Sequence, residues 1–467
     1  MHRIFSQKRI TVQKDSYGKN LTHGSVFKNI VFFSLPYLLS YFLQTLYGMA
    51  DLFIIGQFAS VADTTAVSVG SQIMHMLTVM IVGLAMGTTV SIANAVGAGD
   101  RKRAAQSIGN TVTLFMSLSV VLMGLLLLLV RPITSLMATP PQAVASTVSY
   151  LTVCFLGIPF ITAYNILASV FRGMGDSKSP MYFIAVACVC NIGLDFLFIG
   201  ALGLGPVGAA LGTTLSQTVS VALSLCVIVK KRSIGLSKSD FKPKKAVMRR
   251  LLSIGLPVAA QDGLIQIAFI VITVIANSRG LNTAAAVGIV EKIIGFVFLV
   301  PSSLLSAVSA LGAQNIGAGK PQRAVRTLRD SIFLAVGFGI VCTVGVQFCA
   351  ERLVALFTDE TASGGAEVVR LGGQYLRGYI FDCIFAGIHF CFSGYFCAMG
   401  KSVLSFVHNI LAVVLVRIPG AYLCAKRFPQ TLFPMGLATV CGSVLSVLIC
   451  LVAYFALKKR KNASKTT

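Results

Sequence analysis

Long apolar stretches follow one another along the whole chain, each closed by a short polar connection. A helix needs about 20 mostly apolar residues to cross a hydrocarbon core roughly 30 Å thick, and the pattern predicts twelve crossings. The first six are expected at 28–56, 66–95, 105–130, 147–170, 179–200 and 207–229, and the second six at 251–276, 284–311, 327–350, 374–397, 402–425 and 433–457. Between them a basic stretch, 230–250, reads as a linker. The expected fold is an all-α polytopic membrane protein of two six-helix lobes, 28–229 and 251–457, with polar segments 1–27 and 458–467 at its ends.

Composition agrees with that pattern. Of the 467 residues, 55% are hydrophobic and 12% charged, and the mean hydropathy of +0.83 lies far from soluble domains. The formal net charge of +24 raises the question of nucleic acid. Thirty of the 39 Lys and Arg residues lie in the two termini and the even-numbered connections: Arg101 to Arg103, Arg172 with Lys178, Lys230 to Arg250, Lys320 to Arg329, and Lys401. Nine lie elsewhere. Basic loops stay on the cytoplasmic side, so both termini are expected inside a multi-pass protein of the plasma (inner) membrane. Charge spread over separate loops does not form a nucleic-acid surface. Membrane lipids with anionic headgroups are the expected contacts.

The N-terminal segment has no apolar core of the signal-peptide kind, so helix 1 is expected to anchor insertion. The twelve cysteines fall almost all inside apolar spans without metal-like spacing, and read as small apolar fillers.

The two halves repeat each other. Ser-Leu-Pro36 recurs as Gly-Leu-Pro257, and Thr-Thr-Ala-Val-Ser-Val-Gly70 as Asn-Thr-Ala-Ala-Ala-Val-Gly288. Gly97-Ala-Gly99 recurs as Gly317-Ala-Gly319, Phe171-Arg-Gly-Met-Gly175 as Phe396-Cys-Ala-Met-Gly400, and Pro206-Val-Gly208 as Pro434-Met-Gly436. Six spans per half give both halves the same orientation, related by a pseudo-twofold axis along the membrane normal and enclosing a central cavity.

An ionisable side chain in hydrocarbon costs at least ~2.5 kcal/mol, which makes each intramembrane carboxylate a functional candidate. There are five: Asp51, Asp195, Asp262, Glu291 and Asp382. Asn191 and Asp195, four residues apart, share one helix face. Counting rise along the spans brings Asp51, Thr213 and this pair to similar depth. Two carboxylates, an amide and a hydroxyl offer oxygens to a hard cation, or form a pair that shares a proton. The competing reading is that Asn191 and Asp195 only glue helices together. Asp262 is the candidate for attracting a cationic substrate, with a structural role equally open, while Glu291 and Asp382 are expected near the outer face, paired with Lys292 or Arg377.

The run Gln44-Thr-Leu-Tyr-Gly-Met-Ala-Asp51, the two Gly-Ala-Gly loops and Arg172-Gly-Met-Gly-Asp-Ser-Lys-Ser-Pro180 resemble the multidrug and toxic compound extrusion (MATE) family, in its DinF-like and MepA-like branch. The resemblance spans 28–457. It implies a secondary active transporter rather than an enzyme, a cation-coupled antiporter exporting small amphipathic, often cationic, molecules by alternating access. By the same resemblance Asp51, Asn191, Asp195 and Thr213 hold the coupling H+ or Na+, Gln44 and Tyr47 join Asp262 as substrate-cavity candidates, and Pro36 is the hinge of helix 1. No cofactor or other metal is implied, and the protein is expected to work as a monomer. Pro36, Pro159 and Pro257 are expected to bend helices 1, 4 and 7.

Two alternatives remain. A lipid-linked oligosaccharide flippase of the same superfamily would need several cavity-facing basic residues, and Arg417 is the clear one deep in a span. An intramembrane protease is suggested by Gly173-Met-Gly175-Asp176 with Asp51 as partner, although the two aspartates are expected at opposite faces. His75, His389 and His408 read as satisfied core histidines.

Overall fold

A computed structural model describes residues 20–231, 235–358 and 364–466. Most of the N-terminal segment 1–27 and part of the linker therefore lie outside the described residues. Among those described, the chain is helical without a strand. The first half comprises α1 (Val26–Phe58), α2 (Val61–Gly97), α3 (Arg101–Leu136), α4 (Val144–Leu156), α5 (Ile158–Gly173), α6 (Lys178–Asp195) and α7 (Gly205–Lys231). The second comprises α8 (Lys245–Asn277), α9 (Leu281–Val297), α10 (Leu299–Gly317), α11 (Pro321–Ala355), α12 (Gly365–Tyr379), α13 (Asp382–Ala398), α14 (Ser402–Ala412), α15 (Ile418–Arg427) and α16 (Phe433–Thr466). Among the described residues ten helical spans, some of them running through two of these segments, are long and apolar enough to cross a membrane, and the number rises to twelve if each of two bent pairs is one span. Large apolar side chains such as Phe53, Leu128, Phe348 and Val452 lie exposed, the arrangement expected where lipid replaces water.

The bent pairs occupy equivalent places. α4 and α5 meet at 47° with Pro159 at the start of α5, and α12 and α13 meet at 43° with no proline between them. The bend at Pro159 is the expected one. α1 and α8 run unbroken through Pro36 and Pro257. A π-helical turn follows α6 at Phe196–Ala201, and another joins α14 to α15 at Val413–Arg417. Such turns insert an extra residue, and they often sit at functional sites.

The repeated glycines close four helices in the same way. Gly99, Gly175, Gly319 and Gly400 have φ between 70° and 86°, and the amide after each reaches back five residues, as from Asp100 to Ala95 and from Lys320 to Asn315. These are left-handed helix caps that glycine adopts without strain. Two further glycines knit the halves together: a Cβ on Gly97 would strike the Gln314 carbonyl, and one on Gly317 would strike the Asn94 carbonyl. Gly87 meets the Leu251 carbonyl and Gly255 the Leu84 carbonyl in the same reciprocal fashion. Backbones of the two halves are therefore in direct contact toward the basic end of the molecule.

Each half's first helix starts against the other half. Val26, Ile30 and Phe33 of α1 pack with Leu304, Leu328, Phe392 and Phe396, whereas Ile54 and Ile55 at its far end pack with Tyr150, Leu151 and Phe155. The segment before α1 follows: Leu21, 2% exposed, donates its amide to Gln314 Oε1 at 2.7 Å, and Lys320 and Arg323 donate to the Thr22 and His23 carbonyls. The segment before α8 does the converse. Asn110 of α3 donates to the Asp240 carbonyl at 3.0 Å and accepts from the Lys244 amide at 2.7 Å. The Ser237 amide and hydroxyl both donate to Asp240 Oδ2, which holds that carboxyl below its ordinary range.

Candidate functional site

The four polar residues expected to meet in the first half do so. Asp51 comes from α1, Asn191 and Asp195 from the last turns of α6, and Thr213 from α7. They are 6%, 0% and 0% exposed for Asp51, Asn191 and Asp195, so water does not solvate them. The Thr213 hydroxyl donates to Asp51 Oδ2 at 3.1 Å. The remaining Asp51 oxygen, both Asp195 oxygens and both polar atoms of Asn191 are buried without a hydrogen-bond partner. Such groups normally find partners even in hydrocarbon, and two carboxylates left facing each other there are unstable without positive charge between them. The donor set suits a hard cation or a proton: at least three carboxylate oxygens, an amide oxygen and a hydroxyl.

Neighbouring residues fit the same purpose. Gly212 lies against Asp195 Oδ1 so closely that a Cβ would collide with it. Tyr47, one turn before Asp51, accepts from Gln217 Nε2 at 3.2 Å. Tyr47 thus belongs to the surroundings of the first-half site, with Gln44 one turn before it on α1. The π-helical turn begins directly after Asp195.

The second half uses its polar groups differently. Asp382, 1% exposed at the α12–α13 bend, lies 3.7 Å from Arg417, an ion pair rather than a hydrogen bond, since both its oxygens are also buried without a hydrogen-bond partner. Arg417 also bonds the Tyr379 hydroxyl and sits over the Phe269 and Tyr379 rings at 5.3 and 5.6 Å. Glu291 accepts from the Thr273 hydroxyl at 3.3 Å. The expected pairing of Glu291 and Asp382 with Lys292 or Arg377 is corrected: Arg377 bonds Glu351 at 3.0 Å, and the basic group beside Asp382 is Arg417, the last residue of the second π-helical turn. His408 is held by Ser393 and Ser446, as a satisfied core histidine should be. His389 keeps an unpaired Nδ1, and His75 is exposed rather than in the core.

Between the halves lies Asp262 on α8, beside Gly83 of α2. Gln261 donates to it at 3.4 Å and is itself fixed by the Ser405 hydroxyl at 2.6 Å.

A family model, MatE, matches twice, over residues 36–197 and 257–423, once in each half. The chain belongs to the MATE family. YpnP of Bacillus subtilis, a probable multidrug resistance protein, is 29% identical over 86% of this chain and 88% of its own. YoeA, another from the same organism, is 27% identical over 98% and 99%, and the multidrug export protein MepA of Staphylococcus aureus is 26% identical over 87% and 89%. Among solved structures, an outward-facing multidrug resistance MATE transporter aligns with a TM-score of 0.87 at 23% identity, covering 97% of this chain and all of the other. A MOP superfamily transporter from Pyrococcus furiosus gives 0.87 at 22%, with the same coverage.

Within a MATE frame the protease reading finds no geometry. Asp176 caps α6, accepting from the Lys178 and Ser179 amides and the Ser179 hydroxyl, while Asp51 bonds Thr213. The flippase reading gains no support from these relatives. Arg172 is a residue that the sequence reading misplaced. Counted there among cytoplasmic loop charges, it lies in the last turn of α5, 8% exposed, with its guanidinium 4.9 Å above the Tyr37 ring and bonded to Ser169 at 2.6 Å. Gly212 and Gln217 were also missed, since a glycine and a glutamine in an apolar span carry no distinguishing pattern.

Proposed function

We propose that this MATE protein is a secondary antiporter that couples entry of H+ or Na+ to export of small amphipathic, often cationic, organic molecules by alternating access. The observation that carries the reading is the set of buried, unpartnered oxygens on Asp51, Asp195 and Asn191. A coupling ion there would neutralise the two carboxylates and satisfy those atoms at once. Ion binding would pull on both α1 and α6, and α1 is the helix that starts against the second half, so occupancy at one end of α1 bears on the closed contact at the other. Pro36, whose missing N–H weakens the helix locally, is the natural hinge between them. Differential affinity of the ion for the two arrangements would supply the drive.

Asp262 is proposed to receive the cationic part of the cargo, with both termini on the cytoplasmic side. The names of the curated relatives support drug-like cargo, and the basic end with its Gly97 and Gly317 contact supports a state closed toward the cytoplasm.

The test is dye export in proteoliposomes with imposed proton or sodium gradients. Asp51→Asn is expected to uncouple export from either gradient. A variant that still exported at the wild-type rate would overturn the assignment.

A further inference from the structure

The second half holds a cavity of about 530 Å³ at the end opposite the Gly97 and Gly317 contact. It lies where α8 turns into α9, where α12 starts and where the chain enters α16, and its walls carry the polar side chains of Arg279, Asn282, Thr283, Glu367, Arg370 and Gln430. With both termini inside, this is the outer end, where basic residues are ordinarily sparse. The first half follows that rule, with Arg131 as the one basic residue near this end, whereas the second half places Arg279, Arg352, Arg370, Lys426 and Arg427 there. Arg279 and Arg370 line the cavity.

Arg279 is anchored but not used up. Its Nη2 donates to the Phe428 and Pro429 carbonyls at 3.1 and 2.5 Å, while its Nη1 is buried without a partner. Arg370 grips Glu367 through two hydrogen bonds of 3.0 and 2.7 Å, so the one carboxylate of the cavity wall is already neutralised. Gly280 begins α9 without a side-chain cap, and the first bond of that helix runs from the Ala284 amide, which leaves the Leu281, Asn282 and Thr283 amides without an acceptor inside the helix. Guanidinium groups and amides at a helix start are donors suited to phosphate. Leu281, also on the wall, is 84% exposed, and an apolar side chain in the open beside such donors suits an amphiphile better than a free ion. We propose that this cavity binds the phosphodiester headgroup of an anionic phospholipid of the adjoining leaflet, with Arg279 and Arg370 on the phosphate, Asn282 and Gln430 on headgroup hydroxyls, and the acyl chains leaving past Leu281. The inference is independent of the export reading.

Native mass spectrometry of the full chain, titrated in detergent with phosphatidylglycerol or with phosphatidylcholine of the same acyl chains, reads the site directly. The wild-type protein is expected to hold one phosphatidylglycerol about tenfold more tightly than phosphatidylcholine, the scale of one charge-assisted hydrogen bond. Arg370→Gln should remove most of that preference, and it is the safer variant because Arg370 is half-exposed whereas Arg279 also holds the Phe428 and Pro429 carbonyls. Glu367→Gln, which frees Arg370 and removes the negative charge, should tighten phosphatidylglycerol. Arg131→Gln, at the same end of the first half, should change nothing. Equal affinity for the two lipids, a weaker phosphatidylglycerol complex in Glu367→Gln, or as large a loss from Arg131→Gln as from Arg370→Gln overturns the site. Inorganic phosphate at millimolar concentration should compete with the lipid only weakly, and free phosphate that binds more tightly than phosphatidylglycerol overturns the lipid assignment in favour of a soluble anion.

Discussion

The two halves share a scaffold and differ in what they do with buried charge. In the first, Asp51 and Asp195 are brought together with buried oxygens that no side chain satisfies. In the second, Asp382 is answered by Arg417 from within the chain. The repeat extends to the bent fourth helix, the π-helical turn of the fifth and the glycine caps, so the difference is not one of architecture. Four side chains on one scaffold carry the difference: among the described residues Asp382 has Arg417 beside it, and Asp51 and Asp195 have no basic side chain.

The comparison can be broken by experiment. The largest effect is expected at the open site, where Asp195→Asn should lower gradient-driven export about 10- to 100-fold, the range of a coupling free energy, without changing the thermal midpoint. Equal loss from Asp382→Asn would erase the distinction. At the closed site the effect should fall on stability: Arg417→Gln leaves Asp382 buried alone and should cost about 3–5 kcal/mol, and adding Asp382→Asn should restore most of it. A double variant no more stable than Arg417→Gln would show that the pair is not self-contained.

Smaller effects test what holds the halves in register. Gly97→Val drives a side chain into the Gln314 carbonyl and should cost about 1–3 kcal/mol, with Gly317→Val matching it, as detergent melting curves can show. Least of all, Asn110→Ala removes the side chain that holds the segment before α8, at about 1 kcal/mol. A larger loss there than at Gly97 would mean that the linker, rather than the helix contact, joins the halves.

How much of this was legible follows from where each signal lives. Carboxylates stand out in apolar spans, and the four-residue spacing of Asn191 and Asp195 places them on one face, so the first-half site could be assembled from hydropathy and helical rise. Arg172 could not, because it stands one turn before a glycine cap at the end of a span, where sequence alone reads a loop charge. Its burial is created by Tyr37, which arrives from a different helix. The α12–α13 bend has no proline to mark it, and Arg417 meets Asp382 from the end of a π-helical turn, a one-residue insertion that hydropathy does not register.

The crossing of the first helices also sets an order of events during synthesis. Val26, Ile30 and Phe33 find their partners on Leu304, Leu328 and Phe396, residues that leave the ribosome long afterwards, on the order of tens of seconds later at ordinary elongation rates. Until then the first turns of α1 lack the partners they hold in the finished fold, so the two halves cannot be joined at this point before most of the second half is made.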